Sequence, residues 1–119
     1  MLFIVLMAQT PEDVDFHIAK EKFVSGERVC FEFINRGRQT VQLPSPHPWM
    51  VVDAMGEIMF SPMAAQVIAS VEPASRKQWC WDQRRKDGQF VDPGRYVIKM
   101  NVYIENEMKV FRRKIEITK

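Results

Sequence analysis

The chain lacks any apolar run that could cross a bilayer as a helix. Its longest, Met1 to Ala8, falls far short of the roughly 20 residues a helical span requires. It is poor in the residues that build metal and nucleophile centres, with two histidines and two cysteines whose spacings match no zinc motif. There is no Gly-x-Ser-x-Gly elbow, no His-Glu-x-x-His pair and no glycine-rich phosphate loop leading into a helix. These absences leave no catalytic, metal or cofactor site to nominate. No window of a dozen residues carries a helical stripe, which excludes a mainly helical fold. No repeat, low-complexity stretch or dividing linker interrupts the sequence. A net charge of +2 is too small to imply a polyanionic partner.

What is present is an ordinary globular composition. At 119 residues, with 46% hydrophobic and 27% charged side chains, residues 1–119 suit one domain with a single core. The charge is unevenly placed. Residues 1–75 hold five Lys/Arg and nine Asp/Glu and residues 76–119 hold twelve and six, so the two parts carry −4 and +6. Two basic runs, Arg84 to Lys86 and Arg112 to Lys114, lie apart in sequence and read as a solvated loop and a solvated strand face, so neither nucleic acid nor membrane is expected as a partner. Residues 1–9 are expected to form an extra edge strand or to precede a natural start at Met7. A secretory signal is the remaining alternative, although a basic leading segment is missing.

Alternation of period two runs along the chain. Val14, Phe16 and Ile18 mark a first strand; Val29, Phe31 and Phe33 mark a second, before a turn at Asn35 to Gly37. Val41 and Leu43 make a short strand halted by Pro44. Met50 to Asp53 and Glu57 to Phe60 form a hairpin, and Ser61 with Pro62 offers a cap for one helical turn at Pro62 to Gln66. Val67 to Val71, Arg76 to Gln83 and Tyr96 to Ile104 follow. The closing strand, Met108 to Thr118, changes parity between Val110 and Phe111, which predicts a β-bulge there and places Arg113 at the rim. Together these predict an all-β, antiparallel, immunoglobulin-like sandwich of about seven to nine strands, with at most one short helical turn.

Asp92-Pro93-Gly94-Arg95-Tyr96 is the most specific local signal. Asp-x-Gly-x-Tyr ahead of an alternating strand is the pattern of a tyrosine corner, in which the ring folds onto the core and the hydroxyl bonds backbone upstream. Pro93 fixes φ and Gly94 permits the positive φ such an entry uses. Phe31, Phe33, Trp79 and Trp81 fall on inward parity as core aromatics. Cys30 and Cys80 fall on the opposite parity. A bridge across the sandwich is therefore excluded, and both are expected to be free thiols, as suits a reducing compartment.

Read in order, Gly26-Glu27-x-Val29, Phe31-x-Phe33-x-Asn35, Val41-x-Leu43, the loop to Trp49, Val51-x-Asp53-x-x-Gly56, Trp79-x-Trp81-Asp82-Gln83, Gly88 and Pro93-Gly94-x-Tyr96-x-Ile98 resemble the intracellular proteinase inhibitor family of the BsuPI type. The resemblance runs from about residue 14 to 117 and rests on turn glycines and core aromatics. It implies an immunoglobulin-like sandwich that acts in the cytoplasm, without a cofactor, by binding subtilisin-like serine proteases. It also implies no enzyme activity. The generic alternative is an immunoglobulin-like interaction domain that inhibits nothing. Family members tend to carry Ser-Gly-Gln after the third strand, where this chain has Ser45-Pro46-His47-Pro48. From the residues themselves, Pro44, Ser45, Pro46, His47, Pro48 and Trp49 are the candidate partner-binding loop: three prolines stiffen it, Trp49 offers an aromatic anchor and His47 a polar tip. The same prolines would also serve to guard a sheet edge.

Overall fold

The computed structural model describes residues 13–63 and 67–119. Ten strands follow in order: β1 (Val14–Ile18), β2 (Lys22–Val24), β3 (Val29–Asn35), β4 (Val41–Leu43), β5 (Trp49–Asp53), β6 (Ile58–Phe60), β7 (Ala69–Val71), β8 (Ser75–Trp81), β9 (Gly94–Ile104) and β10 (Glu107–Thr118). They form two sheets. One has the order β1-β3-β8; the other runs β2-β10-β9-β4-β7, with β5 also beside β9 and β6 beyond β5. The expected immunoglobulin-like sandwich is the fold observed, and no helix occurs among the described residues. Residues 61–63 have no regular structure, and the rest of the expected helical turn, 64–66, lies outside the described residues, as do 1–9.

Alternation sets the layers. β3 and β9 bury every second residue, and these side chains meet between the sheets in one cluster containing Phe16, Phe31, Phe33, Trp81, Ile98 and Met100. Rings interlock there: Phe31 meets Phe16 and Trp49 edge-on at 5.7 and 5.0 Å and stacks on Trp79 at 6.5 Å. The four aromatics expected in the core all lie in it.

The chain changes sheets early. β1 pairs antiparallel with β3, and β2 then crosses to lie parallel to β10. This three-residue strand, with only Phe23 buried, is too short for its alternation to be read from sequence.

Strand β9 is the spine of the larger sheet. One edge pairs with β10; the other takes β5 along Tyr96 to Met100 and then β4 at Tyr103. From Gln42 to Trp49 is seven residue steps, yet from Tyr103 to Met100 opposite is only three. The proline loop is thus an outward bulge within one strand course.

Two expectations are corrected. The β9–β10 register runs without a break from Glu107 to Ile117, so there is no bulge at Val110–Phe111. Val110 simply faces outward and is 39% exposed. Arg113 takes the inward parity with Ile115, but it sits at the seam between sheets. There its guanidinium lies 3.5 Å from the Asp15 carboxylate and over the Phe16 ring.

The second correction concerns the cysteines. Cys30 and Cys80 are directly opposed on β3 and β8 and form a disulfide, with Cα atoms 4.0 Å apart. Outward parity does exclude a bridge across the sandwich. It does not exclude a bridge between neighbouring strands of one sheet, and which strands are neighbours is not visible in alternation. The free-thiol argument for a reducing compartment goes with it.

Candidate interaction surfaces

The tyrosine corner is formed as expected. Tyr96 is buried at the start of β9, its ring edge-on to Trp81 at 6.1 Å, and its hydroxyl donates to the Asp92 carbonyl at 2.5 Å. Gly94 has φ of +157°, a backbone angle that resists a side chain, although a Cβ would meet nothing closer than Tyr96 at 4.0 Å. Burial, reinforced by the Asp92 and Asp53 carboxylates, pushes the phenol pKa above its ordinary value. The corner is structural: its polar atoms are consumed in fixing the entry of β9.

A second brace was not assigned from sequence. Gln83, though polar, is 1% exposed and has φ of +65°. Its Nε2 donates to the carbonyls of Val24 and Glu27 at 2.8 and 2.7 Å, and its Oε1 accepts from Gly26 N–H at 3.1 Å. Gln83 thereby stands in for missing backbone partners of the β2–β3 turn. In the same turn the Glu27 carboxylate accepts from Val24 N–H, and its hydrogen bond to Lys20 lowers its pKa. Asn35 does comparable work at the opposite end of β3. Its Nδ2 donates to the Gln39 and Val71 carbonyls, and its Oδ1 accepts from Gly37. Both lie inside the motifs quoted above. The signal that marks them is a polar residue on an otherwise inward parity.

In the proline loop the six candidate residues divide. Pro44, Ser45 and Pro46 are half-buried, His47 is exposed, and Pro48 and Trp49 are buried. Trp79 Nε1 donates to the Pro46 carbonyl at 2.9 Å, Asn101 N–H to the Pro48 carbonyl at 2.9 Å, and His47 N–H to Ser45 Oγ at 3.3 Å. The tip is therefore held rigidly. Trp49 is no exposed anchor: at 5% exposure it packs on Phe31 and Phe60, and its buried Nε1 finds no hydrogen-bond partner among the described residues. A residue after X-Pro at a strand mouth reads as solvent-facing, but here the strand course resumes at once and its parity turns the indole inward.

The loop from Arg84 to Phe90 presents a second braced tip. Arg85 N–H bonds the Gln89 carbonyl, Gly88 N–H the Arg85 carbonyl, and Arg84 reaches the Gly88 carbonyl while its guanidinium covers the Phe90 ring at 4.4 Å. Phe90 is 53% exposed. Strand β6 links the two tips: Met59 accepts the Lys86 N–H at 3.1 Å, and Phe60 packs on Trp49 at 5.6 Å. Among the described residues no group of three or more His, Cys, Asp or Glu could hold a metal ion.

No family model and no curated protein matches the sequence. Solved structures show only weak similarity. The ASH/PapD-like domain of human CEP192 (PapD-like domain 7) has 16% identity and a TM-score of 0.45, over 99% of this chain and 93% of that one. The Pseudomonas fluorescens alkylpurine DNA glycosylase AlkC has 15% and 0.44, and a β-glucosidase from Listeria innocua 12% and 0.40. These cover 90% and 89% of this chain but only 31% and 16% of those chains. Identities and TM-scores this low assign the chain no function.

Proposed function

We propose that the protein is a non-enzymatic binder that inhibits subtilisin-like serine proteases, the reading implied by its resemblance to the BsuPI-type family. The observation that supports it is the braced proline loop. Its flanks are fixed by Trp79 Nε1 and Asn101 N–H, so His47 projects from backbone that has little entropy left to lose on docking. Phe90, beyond β6, offers an exposed aromatic in place of the buried Trp49. The contact is accordingly assigned to His47 and its half-buried neighbours Ser45 and Pro46, together with the Arg84–Phe90 tip.

The burial of Pro48 and Trp49 favours a second reading, in which the bulge is architectural and the domain is a generic interaction module. Titration of a subtilisin-type protease with the purified protein separates the two. Stoichiometric loss of peptide hydrolysis, weakened by His47→Ala or Phe90→Ala, supports inhibition. Digestion of the protein with unchanged protease activity supports the second reading.

A further inference from the structure

The outer face of the larger sheet carries a cationic surface that the separated basic runs do not reveal in sequence. On β9 the outward residues are Arg95, Val97, Lys99, Asn101 and Tyr103, because their neighbours Tyr96 to Ile104 on the other parity are buried. The register places Glu116, Lys114, Arg112, Val110 and Met108 of β10 directly opposite them in that order. Lys99 and Arg112 therefore face each other across the sheet, with Lys114 diagonal to Lys99. Like charges in directly opposed positions destabilise a sheet. None of Arg95, Lys99, Arg112 and Lys114 has a carboxylate partner among the described residues, where the ion pairs are all made by other cations.

The cations are interleaved with apolar side chains. Val52 and Met50 of β5 stand opposite Val97 and Lys99. Val52 is 3% exposed yet does not belong to the core cluster, so it is covered on the outer face. Val110 and Met108, 39% and 44% exposed, extend the apolar ground toward Tyr103. Beside Lys99 and Arg112 lies an open depression of about 360 Å³, lined in part by Val97 and Ala54. Its rim sets Lys22, Arg95 and Lys114 against Glu21 and Glu116, so the positive excess centres on Lys99, Arg112 and Lys114.

We propose that this face docks an extended acidic segment of a partner protein, whose sheet-facing side chains, every second residue, are carboxylates interspersed with aliphatic groups. The carboxylates meet Lys99, Arg112 and Lys114, and the aliphatic residues fill the ground between them over Val97 and Val110. Charge complementarity and the mixed lining favour this occupant. A nucleic acid would want stacking rings between the cations, and Tyr103 at one end is the sole aromatic on the outward positions of β9 and β10. A bilayer would want apolar groups that project past the charged ones. Val97 and Val110 are shorter than the lysines and arginines around them, and Val97 lines the open depression, which a peptide side chain can enter. The surface is distinct from the His47 and Phe90 tips.

The probe is a fluorescent peptide of repeated Glu-Ser-Leu-Ser, which places glutamate and leucine on one face of an extended chain, tested beside a single-stranded oligonucleotide and phosphatidylserine vesicles. The expected result is binding of the peptide in preference to both others, weakening about tenfold or more as salt rises to screen it. Lys99→Glu and Arg112→Gln should each reduce it about tenfold, while Lys77→Gln, on the exposed part of β8 in the other sheet, leaves it unchanged. A second readout needs no ligand. Lys99→Glu removes the like-charge opposition, so the melting temperature of the free protein should rise by roughly 1–4 °C as peptide binding falls. The proposal is overturned if no probe binds, if the oligonucleotide or vesicles bind more tightly, or if Lys99→Glu leaves binding intact.

Discussion

Removing the Gln83 side chain tests how far this sandwich depends on a single buried amide. Gln83→Ala deletes three hydrogen bonds in a partly buried turn, removing the Gln83 partner of the Glu27 carbonyl and of the Gly26 N–H and leaving the Val24 carbonyl with the Glu27 N–H alone. At about 1 kcal/mol each, the net loss is about 3 kcal/mol. Near 4 °C per kcal/mol for a domain of this size, the melting temperature should fall by about 12 °C. The φ of +65° supplies an internal control. Gln83→Gly loses the same bonds but relieves a left-handed conformation that costs a non-glycine residue roughly 1–2 kcal/mol. It should therefore melt above Gln83→Ala by about 4–8 °C. Calorimetry or thermal circular dichroism on the three proteins reads both differences. A fall below about 3 °C for Gln83→Ala, or Gln83→Gly melting below Gln83→Ala, would refute the assignment of Gln83 as the clasp of this turn.

Tyr96→Phe deletes the corner bond to Asp92 and should cost about 0.5–1.5 kcal/mol in a denaturant titration, with the fold retained. Because the Tyr96 pKa is raised in the folded state, its contribution is complete below the phenol's ordinary value of 10.0 and is lost as pH climbs through the folded value. The parent should therefore lose more stability under strong alkali than Tyr96→Phe does. The Cys30–Cys80 bridge spans 50 residues of sequence, so the reduced protein should be less stable by about 4 kcal/mol. Counting thiols under denaturing conditions without reductant should find none. Trp49→Ala empties a core site and should cost about 3–5 kcal/mol, so its effect on any partner must be read against unfolding, whereas His47→Ala should leave the melting temperature nearly unchanged.

Much of this architecture is legible in the residues. Alternation through Tyr96, Ile98, Met100, Val102 and Ile104 marks the spine of the larger sheet, and Asp92 to Tyr96 marks its corner. What alternation does not carry is the identity of the neighbouring strand. That missing information explains both the Cys30–Cys80 bridge and the Lys99–Arg112 opposition, each made by residues far apart or separately unremarkable in sequence. The closing strand reads as faulted only when Val110 is counted as a core residue. Once β9 fixes its parity, Val110 is a surface residue and the bulge is unnecessary. At the candidate contact, the stiffness of the proline loop was legible from its composition. The inward turn of Trp49 was not, since it depends on β5 resuming the course of β4 along β9 after the bulge.

The most direct test of the inhibitor reading is active-site titration of a subtilisin-type protease with the intact, disulfide-bonded protein. The account predicts that peptide hydrolysis falls linearly to an end point near one protein per protease. His47→Ala or Phe90→Ala should weaken this by about tenfold while the melting temperature holds. Full protease activity at excess protein, with the sandwich cleaved as a substrate, would contradict it.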